Sequence, residues 1–283
     1  MLNRHLYAYA QSVDERRFTV AFRDDRSTLA NRDFAEVEED VDESSETYWN
    51  WYYPARLAEL GIDVPRGAAI LDCACGIGRL GDAIRRRSAP RSVTFCDLSI
   101  DQLRAVRGGS AQLADVCRMP YADASFDLVI GNSFLHHLAD VPAALREMYR
   151  VCKPGGVVAV LHEPNVYAPF WEAFPVSLYK NMYRHPNEGN FTDLWCFAPD
   201  DLRALLHEVG FAGVRLSSRG VLAAIVANAY LILLRKLRVR AAGLRVPVYR
   251  LRVLLDRVES ALTRGRGLPT APSLSIVARK APA

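Results

Sequence analysis

A short loop of small residues is the first part of the sequence whose residue types could do chemistry. Gly76, Gly78 and Gly81 form a G-x-G-x-x-G spacing between an apolar run and a helical run. Small residues there let the backbone turn tightly and approach a ligand. Asp97 follows the next apolar run, and a carboxylate in that place can accept hydrogen bonds from both hydroxyls of a ribose. The loop and Asp97 predict an adenosine cofactor but leave NAD, FAD and S-adenosylmethionine (SAM) open.

A second carboxylate stands at the start of the loop. Asp72 precedes Gly76 by four residues. A negative charge at this point would repel a nearby pyrophosphate and would suit the cationic end of a SAM-like ligand. Asp72 therefore favours SAM over the dinucleotides.

Three residues are candidates for proton transfer. His136 and His137 follow the fourth apolar run, and Glu163 ends the fifth. Each could act as a general base towards an oxygen or carbon nucleophile. Each also has a structural interpretation, since a histidine can cap or pack a helix and Glu163-Pro164-Asn165 can form a turn. The sequence leaves both interpretations open.

Short apolar runs alternate with amphipathic segments around these residues. Strands are predicted over 68–73, 92–96, 111–114, 126–131, 157–162, 214–218 and 274–278, and helices over 79–87, 99–106, 141–151 and 199–209. Strands of this length separated by helices indicate βαβ units, and hence an α/β fold with a parallel sheet covered by helices on both faces. The candidate residues then lie at the carboxyl ends of the strands, where ligands bind in open α/β sheets.

Two longer motifs complete the pattern. Residues 114–129 read Ala-Asp-Val, then Met-Pro-Tyr-Ala-Asp-Ala-Ser-Phe-Asp-Leu-Val, and residues 153–156 read Lys-Pro-Gly-Gly. With the loop and Asp97, they make the chain resemble the small-molecule subgroup of the class I SAM-dependent methyltransferases. The resemblance is close over 68–163 and loose over 195–218. It implies a Rossmann-like, mostly parallel sheet of seven strands, with Ala74 in place of the first family glycine.

The resemblance also implies a role for each matched residue, with SAM as cofactor and S-adenosylhomocysteine (SAH) as product. Asp72, Ala74, Gly76, Gly78 and Asn132 are expected near the methionine portion. Asp97 is expected to hold the ribose with Leu98 against the adenine, and Asp115 to accept from the adenine amino group beside Val116. Methyl transfer from a sulfonium requires no metal, and the sequence shows no Asp/His cluster that would bind one.

The regions flanking these motifs predict the domain organisation. Residues 1–60 are expected to form an acidic arm and a lid helix with the aromatic cluster 48–53, and residues 61–283 the methyltransferase domain. Helical additions are expected before strand 1, after strand 5 and between strands 6 and 7. The second is an aromatic-rich substrate insert, 164–198, and the third a basic amphipathic insert, 220–270.

Charge is distributed unevenly along the chain. The total is +4, but residues 1–60 carry −6 and residues 219–267 carry +9, with eleven Lys and Arg against two Asp and Glu. Basic residues mixed with Leu and Val favour peripheral contact of 220–267 with an anionic membrane, or capture of a lipid-linked substrate. A homodimer interface or a helical cap is the alternative. No RNA-binding motif is present, so no nucleic-acid partner is expected.

The sequence thus predicts methyl transfer from SAM to a small-molecule or lipid-like acceptor, with oxygen or carbon favoured. The alternatives are an NAD-dependent oxidoreductase and a SAM-binding protein without catalysis. The first 30 residues lack the apolar stretch of a signal peptide, so a cytoplasmic location is expected, extending to association with the inner face of the membrane.

Overall fold

The structure is a computed structural model, and it describes residues 43–138, 140–165, 197–222, 225–226, 229, 233, 245–263, 268 and 270–283. The predicted arm before residue 43, most of the substrate insert 164–198 and much of the basic insert 220–270 lie outside these residues. The predicted division at residue 60 therefore stays a prediction.

The described elements alternate between helices and strands. In chain order they are α1 (Glu43–Glu59), β1 (Ala69–Cys73), α2 (Arg79–Arg87), β2 (Ser92–Asp97), α3 (Ile100–Ala105), β3 (Ser110–Leu113), β4 (Phe126–Asn132), a 3₁₀ turn (Leu135–His137), α4 (Val141–Val151), β5 (Cys152–Pro164), α5 (Pro199–Val209), β6 (Phe211–Arg219), α6 (Arg245–Leu262) and β7 (Ser273–Lys280). The predicted helices 79–87, 141–151 and 199–209 are found with the same bounds.

The seven strands form one sheet in the order β3-β2-β1-β4-β5-β7-β6. The first five are mutually parallel, and β7 runs antiparallel to both of its neighbours. The predicted seven-stranded, mostly parallel sheet is confirmed. Although Lys-Pro-Gly-Gly at 153–156 is a sequence typical of a turn, these residues lie within β5, where Gly155 has a φ of 75° and the pairing with β4 shifts register.

Each face of the sheet packs against helices. On one face Leu145 and Met148 of α4 are fully buried with Val129 of β4. On the other face Leu57 of α1 packs in the cluster that holds Phe95 of β2. Burial of such a side chain contributes roughly 1.5–3 kcal/mol. The predicted layers of helix, sheet and helix are therefore held by two apolar clusters.

Helix α1 begins before the aromatic cluster and continues through it. Pro54, a residue that usually begins or ends a helix, lies inside α1. A proline lacks the amide that would bond to the preceding turn, so tertiary packing must hold the helix together here. Tyr53 and Leu57, four residues apart, are buried in the core. The buried Arg56 donates to Ser275 Oγ of β7 at 3.2 Å, which fixes α1 against the sheet.

Helix α6 is attached to the end of β6 through one buried carboxylate. Glu259 is 1% exposed and accepts from the amides of Gly220 and Leu222, each at 3.0 Å. Among the described residues, no helix has the length and apolar character needed to cross a bilayer.

Candidate active site

The carboxyl ends of the parallel strands meet along one edge of the sheet. β1 pairs with β2 on one side and with β4 on the other. The chain therefore leaves β1 in one direction and returns to the sheet on the opposite side of β1, which opens a crevice at this edge. The loop after β1, the end of β2 and the end of β4 line the crevice.

Left-handed backbone shapes the loop after β1. Ala74, Gly76 and Gly78 have φ values of 49°, 55° and 80°. A Cβ on Gly78 would lie 3.0 Å from Phe95 Cε1, so only glycine fits there without displacing the core. Ala74 takes the left-handed conformation although it carries a Cβ, which costs on the order of 1–2 kcal/mol.

Asp97 is held at the end of β2 by amides from two sides. Its Oδ2 accepts from the Gly76 amide and its Oδ1 from the Ser99 amide, both at 2.8 Å. Burial raises the pKa of Asp97, while these amides counteract the rise. A carboxylate has about four lone-pair sites, so Asp97 can still accept two hydroxyl donors. The geometry fits the expected ribose contact.

Asp72 is buried beneath the loop. Its side chain is 1% exposed, and Oδ2 accepts from the Gly81 amide at 2.8 Å. Burial raises the pKa of Asp72 to about 8, the Gly81 amide lowers it, and the nearby charge of Asp97 raises it further. A cationic group bound above the loop would restore the ionised form. Asp72 therefore acts on a ligand by charge and by holding Gly81 at the start of α2.

The expected adenine side lies after β3. Asp115 Oδ1 accepts from the Cys117 amide at 2.9 Å, and Val116 is buried. The Ala114 amide donates to the Asp97 carbonyl at 3.0 Å. This bond joins the β3 loop to the end of β2, where the half-buried Leu98 follows Asp97. The structure thus brings the predicted ribose and adenine residues together.

Sequence reasoning missed one residue beside the loop. Gln102 of α3 is 5% exposed, and among the described residues nothing donates to its Oε1. That oxygen lies 3.5 Å from where a Cβ on Gly76 would be. A buried carbonyl oxygen without a donor is costly, so the site fits a ligand that brings N–H or O–H groups, as SAM does. The sequence feature that could have identified Gln102 is its position three residues after Ser99, the residue that caps α3.

Glu163 and His136 form a buried pair next to the crevice. Glu163 is fully buried, and its oxygens accept from the amides of Phe134, Leu135 and His136 at 2.9, 2.9 and 3.1 Å. His136 Nδ1 lies 2.8 Å from Glu163 Oε2. Four contacts fill the lone-pair sites of the carboxylate. The geometry favours a positioning role for Glu163 over the predicted contact with an acceptor.

His136 itself is 1% exposed, and its ring centroid lies 3.9 Å from that of His137. Of the two histidines that the sequence offered as candidate bases, His136 is buried and His137 is half-buried. The described residues contain no group of three or more His, Cys, Asp or Glu side chains arranged to hold a metal ion.

A further histidine joins β5 to α1 across the crevice. His162 Nδ1 lies 2.6 Å from Asn132 Oδ1 at the end of β4, and His162 Nε2 lies 2.6 Å from the Tyr52 hydroxyl. His162 has a φ of 61°, in the left-handed region. Asn132 was predicted near the methionine portion of the cofactor, and the structure places it at the β1–β4 crevice.

Known proteins agree with this geometry. Residues 71–160 match the family model described as a methyltransferase domain. A malonyl-[acyl-carrier protein] O-methyltransferase of Pseudescherichia vulneris is 34% identical over 135 residues, covering 45% of this chain and 52% of the relative. The ubiquinone/menaquinone biosynthesis C-methyltransferase UbiE of Cupriavidus necator is 35% identical over 123 residues, covering 40% of this chain and 51% of the relative. The chain thus spans about half the length of these relatives.

The fold is shared with solved methyltransferases at low sequence identity. Haemonchus contortus phosphoethanolamine N-methyltransferase 2, solved in complex with SAM, aligns with a TM-score of 0.56 at 14% identity, covering 88% of this chain and 60% of that chain. The sheet order and the loop are those of the methyltransferase fold. Residues 71–160 match a methyltransferase domain, and over this part the chain is similar to the class I SAM-dependent methyltransferases.

Proposed function

We propose that this chain transfers the methyl group of SAM to a small-molecule or lipid-like acceptor and releases SAH. The observation that carries the proposal is Asp97, which the Gly76 and Ser99 amides hold at 2.8 Å beside the glycine loop. Asp72 below the loop is stabilised in its ionised form when a cation binds above it. Gln102 beside the loop offers that ligand an acceptor oxygen that has no donor among the described residues. The anionic pyrophosphate of NAD would gain nothing from Asp72, whereas a cationic ligand is attracted by its ionised form, which favours SAM over the oxidoreductase alternative.

The chain's own contribution to catalysis is chiefly positioning. SAM supplies an activated methyl group when bound. Asp97 and the loop orient the cofactor, and Asn132 stands at the end of β4 on the crevice. Holding two reactants in line can lower a barrier by about 7–11 kcal/mol. Glu163 fixes the turn after β4, so the residues that face the acceptor keep their geometry.

Oxygen or carbon is the favoured methyl acceptor. The relatives are named as an O-methyltransferase and a C-methyltransferase. They match this chain over 135 and 123 residues, less than half of its length, so the names support the type of chemistry rather than one acceptor.

Thermal unfolding with ligands separates the proposal from its alternatives. SAH is expected to raise the melting temperature of the full chain, and NAD is expected to leave it unchanged, since a ligand stabilises only the state that binds it. A shift with NAD and none with SAH would overturn the proposal. SAH binding without transfer of labelled methyl to any acceptor would favour a SAM-binding protein without catalysis.

We also propose that the basic insert 220–267 contacts the cytoplasmic face of an anionic membrane. Helix α6 exposes Leu254, Val258 and Leu262 at four-residue steps, with exposures of 56%, 41% and 75%. These residues lie on one helical face, and residues 219–267 together carry +9. An apolar stripe within a basic segment is typical of helices that lie on anionic bilayers. The alternative is that this face of α6 forms a homodimer interface.

A further inference from the structure

Helix α4 carries an ion pair that the proposed mechanism does not use. Arg150 Nε donates to Glu147 Oε1 at 2.7 Å, and Arg150 Nη2 donates to Glu147 Oε2 at 2.8 Å. The side chains are 30% and 19% exposed, and the guanidinium lowers the pKa of Glu147. A two-point contact of this kind fixes the orientation of both groups as well as their charge.

This ion pair holds the backbone that follows the expected adenine residues. Glu147 Oε2 accepts from the Met119 amide at 2.8 Å, and Arg150 Nη2 donates to the Met119 carbonyl at 2.9 Å. Arg150 Nη1 donates to the Tyr121 carbonyl and to Asp123 Oδ1, both at 2.7 Å. One guanidinium and one carboxylate of α4 therefore fix the course of this segment.

The adenine residues lie on a turn that is fixed at both ends. We call residues 115–118 the adenine turn, which is closed by a hydrogen bond of 2.9 Å from the Arg118 amide to the Asp115 carbonyl. Before the turn, the Ala114 amide donates to the Asp97 carbonyl of β2 at 3.0 Å. The residue after the turn is the one that α4 holds. The distance between the Asp115 side chain and the ribose residue on β2 therefore depends on both attachments.

We propose that Arg150 is a positioning residue for cofactor selectivity: it holds the adenine turn so that the Asp115 carboxylate can accept from the adenine amino group. This role rests on the proposed function, since it requires SAM at the site. A hydrogen bond needs a donor–acceptor distance of about 2.7–3.2 Å, so a small displacement of the turn breaks it. The ribose contact at Asp97 lies on β2 and is kept.

The shape of the guanidinium, in addition to its charge, is needed for this role. The three nitrogens of Arg150 donate to five acceptor atoms on four residues, which uses the whole fork of five N–H groups. Lysine keeps the positive charge but has one nitrogen with three donors. Arg150→Lys therefore loosens the adenine turn without leaving the Glu147 carboxylate without a cation.

Binding of SAH and of its deaminated analogue, S-inosylhomocysteine, tests the role without any methyl acceptor. The analogue has an oxygen in place of the amino group, so an acceptor would face the Asp115 carboxylate. By calorimetry on the full chain, we expect the wild type to prefer SAH by at least about tenfold. Arg150→Lys is expected to reduce this preference to about threefold or less, chiefly through weaker binding of SAH.

The ratio of the two affinities separates positioning from a merely structural role. Partial unfolding lowers the apparent affinity for both ligands by the same factor and leaves their ratio unchanged. Arg146→Lys makes the same substitution at an exposed position of α4 and is the matched control, expected to keep the wild-type ratio.

A double substitution tests whether Arg150 acts through Asp115. An asparagine can accept from an amino group or donate to an oxygen, so Asp115→Asn is expected to lose the preference for SAH. Adding Arg150→Lys to Asp115→Asn should not change the ratio further, since both substitutions remove one interaction.

The outcomes distinguish this role from the proposed function. Equal ratios for Arg150→Lys and the wild type, or equal affinity of the wild type for the two ligands, would overturn the positioning role. If Arg150→Lys does not fold, Glu147→Gln takes its place with the same expected ratio, because it keeps an acceptor for the Met119 amide and removes the charge that orients Arg150. Absence of SAH binding by the wild type would instead overturn the proposed function.

Discussion

Two acidic side chains at the crevice differ in how the protein uses them. Asp97 has both oxygens directed at amides and keeps lone pairs for a ligand, whereas Asp72 is covered by α2 and meets the Gly81 amide. The sequence pattern identified both as cofactor residues but could not distinguish their depths. The burial of Asp72 depends on Gly81, where a Cβ would lie 2.9 Å from Asp72 Oδ2. It therefore depends on a packing contact between two residues that are nine positions apart in the chain.

The burial of Asp72 predicts a dependence of stability on pH. Because the folded pKa, about 8, lies above the ordinary value of 3.8, stability from the protonated acid is complete below pH 3.8 and is lost as the pH rises through 8. We expect the free energy of unfolding of the wild type, relative to Asp72→Asn, to fall by several kcal/mol between pH 5 and pH 8.5, at about 1.4 kcal/mol per pKa unit. Urea unfolding of the ligand-free chain measures this difference.

Saturating SAM is the control, since its positive charge favours ionised Asp72 and should flatten the difference. Parallel stability curves for the wild type and Asp72→Asn across this pH range would contradict the account.

Gln102 predicts opposite effects on stability and on binding. Gln102→Leu removes a buried oxygen that has no donor among the described residues, so the melting temperature should stay the same or rise. The same change removes one hydrogen bond to the cofactor, worth about 0.5–1.5 kcal/mol, so SAH affinity should fall about 3–10-fold. Calorimetry and thermal unfolding measure the two effects. Unchanged affinity would show that Gln102 does not contact the cofactor.

At the scale of elements, the regular segments were predictable and their contacts were not. The period of apolar residues identified α2, α4 and α5 with their observed bounds. The bounds of α1 could not be predicted in the same way, since a proline inside a helix is tolerated only where packing compensates, and here Tyr53 and Leu57 are buried. The Tyr52–His162 contact could not be predicted either, because the local sequence of each segment does not determine how α1 is oriented on the sheet.

The turn after β4 depends on one carboxylate. Glu163→Ala would leave three buried amides and the His136 ring without their acceptor. We expect a loss of about 3–5 kcal/mol in the free energy of unfolding, and a smaller loss for Glu163→Gln, which keeps one acceptor oxygen. Denaturant unfolding measures both. Glu208→Ala, at an exposed position on α5, is the matched control and should change stability by less than about 0.5 kcal/mol. Equal stabilities for Glu163→Ala and the control would contradict the positioning role.

For the whole molecule, the uneven charge predicts how the chain meets a membrane. We expect the full chain to float with phosphatidylglycerol-containing vesicles and not with neutral vesicles. Flotation with the anionic vesicles should decrease at high salt, because salt screens the attraction. Replacing Arg235, Lys236, Arg238 and Arg240 by Gln, with Leu254→Ser and Leu262→Ser, should abolish flotation.

The control for this experiment replaces Arg85, Arg86 and Arg87 of α2 by Gln, which lowers the charge elsewhere and should leave flotation intact. Equal flotation of the wild type and the insert variant would contradict membrane contact. A doubled mass in solution that the insert variant halves would identify α6 as a homodimer interface instead.

The central claim is that the edge of the sheet beyond β1 and β2 binds SAM through Asp97. Calorimetric titration of the full chain with SAH tests this most directly, with Asp97→Ala as the variant and Asp63→Ala, at an exposed position, as the control. Two hydroxyl bonds to a charged group are worth about 1.5–3 kcal/mol each. The account predicts that the wild type and the control bind SAH equally and that Asp97→Ala binds it at least 100-fold more weakly. Equal affinity of Asp97→Ala and the wild type, or no binding by either, would contradict it.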